Sequence, residues 1–285
     1  MPLETLEDYL AEVLPMAIRI DDYIDAPKKN YVGVGGVLAE LMHRRSDYCL
    51  SAASYHARNF FVPIVMRHVE TAEIAGPLYM VSFAFRRYVM PEGTAHTFTP
   101  EPLHTEIRGI LKRHSYIGVT EAAYYPNWVT TDDGTFSPVV SYHSHVITSG
   151  SSRKTLVRDT AEAAGEESLL RGVSAVDIRE VKRERLTEKL LYILKPPHKQ
   201  YTPYWSKTDK VRVQLGLTPK GTVKQSKKAM RTGLLVQMCN VLRDQRLDEL
   251  IFGNGAFEPL VQTIVQDARG TLDRRLQRES DRRPR

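Results

Sequence analysis

Apolar positions recur at helical spacing through the first quarter of the chain. LETLEDYLAEVLPMAIRIDDYI sets Leu, Val and Ile three and four apart, and VGGVLAELMHRR and YHARNFFVPIVMRHVETAEIAG continue in that style. Residues 3 to 75 are therefore predicted mostly helical, with a break near Pro15. His43, His56 and His68 are scattered through this region and read as packing or surface residues.

The pattern changes at Gly76-Pro77. LYMVSFAF, residues 78 to 85, is apolar and aromatic and predicts a strand. TPEPLHTEIRGILKRH then predicts a helix over 100 to 113, with Thr99 as its N-cap and Pro100 in its first turn. SYIGVTEAAYY (115 to 125) and SPVVSYHSHVIT (137 to 148) predict two strands of an antiparallel hairpin, with Asp133-Gly134 as a turn signal between them. A helix is expected from Ser151 or Ser152 onward. A fourth strand is predicted at 172 to 181, then a short helix over 185 to 195, stopped by Pro196-Pro197.

This order predicts an α+β fold: a central, mostly antiparallel sheet with flanking helices on one face and helical N- and C-terminal extensions. Three regions are expected. They are a helical one (1 to 75), a central sheet domain (76 to 205) and a basic, mostly helical one (206 to 285). The tail RRLQRESDRRPR is expected to fray.

Charge sharpens that division. The chain nets +6, yet residues 206 to 285 alone hold 17 Lys and Arg against 9 Asp and Glu, so the remainder is slightly acidic. A basic segment on a near-neutral body is an electrostatic footprint for a polyanion, most often nucleic acid. LTPKGTVKQSKKAMRTGLLVQM, within this segment, hints at a helix-turn-helix. No run approaches the ~18 apolar residues of a membrane span. The N-terminal stretch lacks the basic start and apolar core of a secretory signal. Cys49 and Cys239 are far apart and flanked by helical patterns, which reads as two core thiols in a reducing cytoplasm.

Three features carry chemistry. His143 and His145, two apart on a strand, face the same way and are placed to chelate one divalent ion. Glu121 sits in the partner strand, where a buried carboxylate is costly without a counter-charge. A register with Glu121 opposite His143 makes it a third ligand, and a shift by one residue turns it to the other face. Tyr192 lies opposite the apolar arc of Leu186, Leu190, Ile193 and Leu194, with Glu188, Lys189 and Lys195 as helix neighbours. A metal polarising a scissile phosphate and a tyrosine attacking phosphorus would leave a phosphotyrosine and a free 3′-hydroxyl.

Over residues 78 to 201 the chain resembles the HUH endonuclease superfamily, in particular the plasmid and phage initiators of rolling-circle replication. LYMVSFAF resembles the first motif strand, SYHSHVI the histidine-pair motif and YILK the Y-x-x-K motif. Ser144 departs from the apolar residue usual between the histidines. The resemblance implies a ferredoxin-like palm of five antiparallel strands, of which four are visible in the pattern. It implies His143 and His145 as ligands of Mg or Mn, with Glu121 as a third, Tyr192 as nucleophile and Lys195 positioning phosphate. Tyr201 and Tyr204 are alternative nucleophiles. HKQYTPYWSK, with Lys199, Tyr201, Tyr204 and Lys207, suits contact with single-stranded DNA at an origin. No GxxxxGK[ST] pattern occurs, so a host helicase or supercoiling would open the duplex. Relaxases and single-strand transposases share this chemistry. The readings from other classes are a non-catalytic DNA-binding replication factor and a metal hydrolase that forms no covalent adduct.

Overall fold

The computed structural model describes residues 3–25, 49–129, 136–216, 220–221 and 223–282. The predicted helix in VGGVLAELMHRR, His43, and the Asp133-Gly134 turn lie outside the described residues.

The axis of the fold is a long antiparallel hairpin of β3 (Ser115–Val129) and β4 (Phe136–Ser149). Each outer edge of the hairpin carries two shorter strands end to end. Along β4 run β1 (Leu78–Phe83) and β2 (Val89–Pro91). Along β3 run β8 (Ile251–Asn254), antiparallel, and β6 (Lys199–Tyr204), parallel and joined at Tyr124–Gln200. β5 (Val176–Val181) lies beyond β1 and β7 (Lys224–Ala229) beyond β6, giving the order β5-β1-β4-β3-β6-β7. The β3–β4 register shifts between Tyr125 and Trp128, where Pro126 has no N–H to offer the ladder.

The sheet is mixed with helices and dominated by antiparallel pairs, as the pattern predicted, but two expectations are corrected. Helices cover both faces rather than one. His104, on α3 (Glu101–Ile110), hydrogen-bonds Thr120 at 2.8 Å on one face. On the opposite face α6 (Leu186–Ile193) sets Tyr192 against His145. The physical reason is that the central hairpin buries apolar side chains in both directions, Tyr116, Val140 and Val146 one way and Ile117, Val139 and Ile147 the other. The second correction concerns the basic segment. It supplies β7 and β8 besides α7 (Lys207–Gln214), α8 (Thr232–Val241), α9 (Leu247–Leu250) and α10 (Glu258–Arg282). Lys224–Ala229 is a strand where helix was expected, so no helix-turn-helix forms there. KQSKKA is polar on both sides and gives no period-2 signal.

Smaller differences have local physical causes. α1 (Leu6–Asp25) passes through Pro15 unbroken, because its stripe of Tyr9, Val13, Met16, Ala17 and Ile20 is buried and outweighs one lost hydrogen bond. α2 (Tyr55–Glu70) likewise contains Pro63. α3 is capped at Pro100 and not Thr99. The helix after Ser152 is two short pieces, α4 (Arg153–Asp159) and α5 (Ala161–Ala164), and α10 runs on to Arg282 through residues expected to fray.

Tyr9, Phe61, Ile147, Met238 and Ile264 belong to one buried apolar cluster. A second cluster holds Tyr125, Val139, Leu169, Leu170 and Val223, with Tyr201, Trp128 and Trp205 packed against it. Cys239 is buried and Cys49 half-buried. Among the described residues no helix is long and apolar enough to cross a membrane.

Candidate metal centre and tyrosine

Glu121 stands directly opposite His143 in the β3–β4 ladder, and Val119 opposite His145. Strand alternation then puts Glu121, His143 and His145 on one face. One carboxylate oxygen, Glu121 Oε1, lies 3.2 Å from His143 Nε2 and 2.7 Å from His145 Nε2. The two imidazoles are 5.0 Å apart between ring centroids and nearly perpendicular, at 89°. One ligand atom from each of the three residues lies within 4.8 Å of the others, which matches a three-residue site for one metal ion.

The far nitrogens of both rings are also engaged. His143 Nδ1 lies 3.2 Å from the Ser141 carbonyl, and His145 Nδ1 lies 2.6 Å from Ser82 Oγ. A carbonyl only accepts, so His143 carries a proton on Nδ1. Its Nε2 then meets the Glu121 carboxylate either as imidazolium or with a lone pair facing an anion. A divalent cation between them satisfies both lone pairs. Outer partners of this kind orient metal-binding histidines and fix their tautomer.

Charge obeys the same logic. Burial alone would raise the Glu121 pKa, but hydrogen bonds from the two imidazoles hold it far below the usual carboxylate range. Burial alone would lower that of His143, and the bond and charge of Glu121 together raise it instead.

Tyr192 projects from α6 with its ring 6.0 Å from that of His145, and it is 40% exposed. Burial and the Glu121 charge raise its pKa, while Arg179 on β5 works the other way. The cations that the sequence sets beside this tyrosine are otherwise occupied. Lys195 is ion-paired with Glu12 of α1 and only 10% exposed, and Lys189 is bound to Glu188 at 2.8 Å. The charge of Arg179, itself paired with Asp177 at 2.6 Å, reaches Tyr192, and that of Lys227 on β7 reaches His143.

Tyr201 stacks on Tyr125, ring centroids 5.4 Å apart, with Lys227 Nζ 5.5 Å from the Tyr201 ring. Tyr204 ends β6 and is 48% exposed; Lys199 begins that strand and Lys207 begins α7, both exposed. Sequence reasoning missed Ser82, Ser141, Arg179 and Lys227. Ser82 had a legible signal, since it breaks the apolar run of LYMVSF beside the histidine strand. Arg179 and Lys227 had none, because long-range strand pairing alone brings them near.

Comparison with family models, with curated proteins and with solved structures finds no match for this chain.

Proposed function

We propose that this protein is a metal-dependent endonuclease and strand transferase for single-stranded DNA, of the HUH type, that initiates rolling-circle replication through a 5′-phosphotyrosine. The observation that carries the reading is the convergence of Glu121, His143 and His145 with the Tyr192 ring against His145. Two further features support it. The histidine strand lies inside the sheet, between β1 and β3. Four lysines, Lys199, Lys224, Lys227 and Lys228, sit on the β6–β7 ribbon with no ion pair among the described residues.

Two imidazoles and a carboxylate suit Mn or Mg, the latter when phosphate oxygens complete its shell. A bound divalent ion supplies Lewis acidity to the scissile phosphate. The protein's own part begins with Tyr192, which is exposed enough to meet a DNA strand. Its phenolic oxygen attacks phosphorus, and its proton passes to solvent or to a nearby base. The bond from phosphorus to the 3′ oxygen breaks, that oxygen takes a proton, and the 5′ phosphate stays on Tyr192. The tyrosyl ester keeps the bond energy, so a 3′-hydroxyl can reverse the step.

Labelled single-stranded oligonucleotides tiled across the protein's own replicon, incubated with Mg or Mn and run on a denaturing gel, test this. A covalent adduct is expected from the native protein and from neither His143→Ala nor Tyr192→Phe. An adduct that survives Tyr192→Phe moves the nucleophile to Tyr201 or Tyr204. Cleavage that survives Tyr192→Phe without an adduct points to a metal hydrolase. Binding with no cleavage on any strand would sink the reading in favour of a non-catalytic DNA-binding protein.

A further inference from the structure

At the far end of the β3–β4 hairpin lies a cleft of about 970 Å³. Its volume falls in the ~300–1,000 Å³ range of ligand sites. It opens between the ends of β3 and β6 and the loop that carries Leu169 to Val173. The chain has two tryptophans, and both line it: Trp128 from β3 and Trp205 from just after β6. Tyr204, 48% exposed, lines it too. The rest of the wall is mixed, with Ser168, Ser174, Asn127 and Arg171 among its polar residues, and Arg171 has no ion pair among the described residues. The acidic rim is largely neutralised, with Glu167 bound to Arg86 and Glu166 to Arg87.

The cleft and the candidate metal centre lie at opposite ends of one apolar cluster. Its Leu169, Leu170 and Val223 belong to the same apolar cluster as Tyr125 and Val139, which share the face of Glu121 and His143. From Glu121 to Trp128 the strand spans about 23 Å at the usual rise. Between them lie the stacked Tyr125 and Tyr201, with Lys227 beside the Tyr201 ring. The basic ribbon β6–β7 forms the nearby edge.

We propose that this cleft binds a nucleobase, held against the indole and phenol rings with its polar edge toward Asn127 and Arg171. Flat heteroaromatic rings match the wall chemistry, since bases stack on aromatic side chains and an amide or guanidinium reads a base edge. Lys199 and Lys227, on the ribbon face that carries Tyr201 and without an ion pair among the described residues, favour an occupant that carries phosphate. Two sources offer such a ring: an unpaired base of a DNA strand, or a free nucleotide. The strand is favoured by Tyr201 and Lys227, which lie between the cleft and the candidate centre. That choice rests on the nickase reading, and the base would then help select the sequence cut.

Because both tryptophans line the cleft, their emission reports its occupancy. The full-length protein, in metal-free buffer, is titrated with a short oligonucleotide, with an abasic strand of equal length, and with thymidine monophosphate. The base-bearing strand is expected to quench emission and to bind at least ~10-fold more tightly than the abasic one. Tyr204→Ala, at an exposed position, should lose a similar factor, and Trp205→Phe should retain most of the affinity. His143→Ala should leave the base dependence intact. Equal binding of the two strands, or no effect of Tyr204→Ala, overturns the proposal. Saturation by thymidine monophosphate with poor competition from the strand assigns the cleft to a free nucleotide and cuts its link to cleavage. A native protein that cleaves nothing yet shows base-dependent quenching sinks the nickase alone. Cleavage with no base dependence sinks the cleft alone.

Discussion

At the scale of single residues, the candidate site is a set of mutual constraints. Ser82 fixes the His145 ring and so governs how its Nε2 meets an ion. Ser82→Ala is therefore expected to weaken Mn binding by about 10–100-fold, measured by titration calorimetry, with the fold intact. His104 is a different case. It is buried on the opposite face, stacked on Phe252 with ring centroids 3.9 Å apart. Burial and the nearby Arg108 lower its pKa to about 3. Above its unfolded pKa of ~6.5 it is neutral in both states and has no pH effect. As pH falls below that, the unfolded chain takes a proton that the folded chain refuses. Stability then drops by up to about 1.4 kcal/mol per pH unit until the folded pKa is reached. His104→Gln, which keeps a partner for Thr120, should flatten the acid limb of a stability-versus-pH curve. An unchanged limb would show that His104 does not set it.

At the scale of elements, tertiary burial repeatedly overrides local preference. Pro15 in mid-helix is the plainest instance. Its side chain is exposed, so Pro15→Ala leaves the core intact and restores one N–H to the helix. The gain is expected to be roughly 2 kcal/mol, a helix-interior penalty of ~3 less the entropy that proline removes from the unfolded chain. It should appear as a higher denaturation midpoint at unchanged slope. α9 and β8 are held by a related device. The Asp248 side chain is fully buried and bound by Arg246 and by Arg269 of α10, a staple spanning 21 residues of sequence.

At the scale of the molecule, charge and sheet order act together. The basic segment is not a separate solvated tail. Its lysines enter the sheet through β7, and its β8 pairs with the strand that carries Glu121. If the β6–β7 ribbon tracks a phosphate backbone, each lysine it loses should reduce the salt dependence of single-stranded DNA binding by a fixed amount. Lys199→Gln with Lys227→Gln, both on the ribbon face of Tyr201, is expected to reduce the slope of log K against log salt by about 1.4, or ~0.7 for each phosphate that a lysine no longer neutralises. A weaker affinity with an unchanged slope would place the DNA elsewhere.

Sequence alone determined what depends on near neighbours. The strands over 78 to 85, 115 to 125 and 137 to 148, the pairing of His143 and His145 on one face, and the short helix carrying Tyr192 come from side-chain period, proline stops and turn chemistry. The strand period also confined Glu121 to one of two faces. The tertiary structure chose between them, because register is set by packing along the whole hairpin. It also took Lys195 away to Glu12 and brought the charges of Arg179 and Lys227 to bear on Tyr192 and His143. Contacts across a hundred residues depend on which strands pair, and a polar ribbon such as KQSKKA leaves no local trace of its partner.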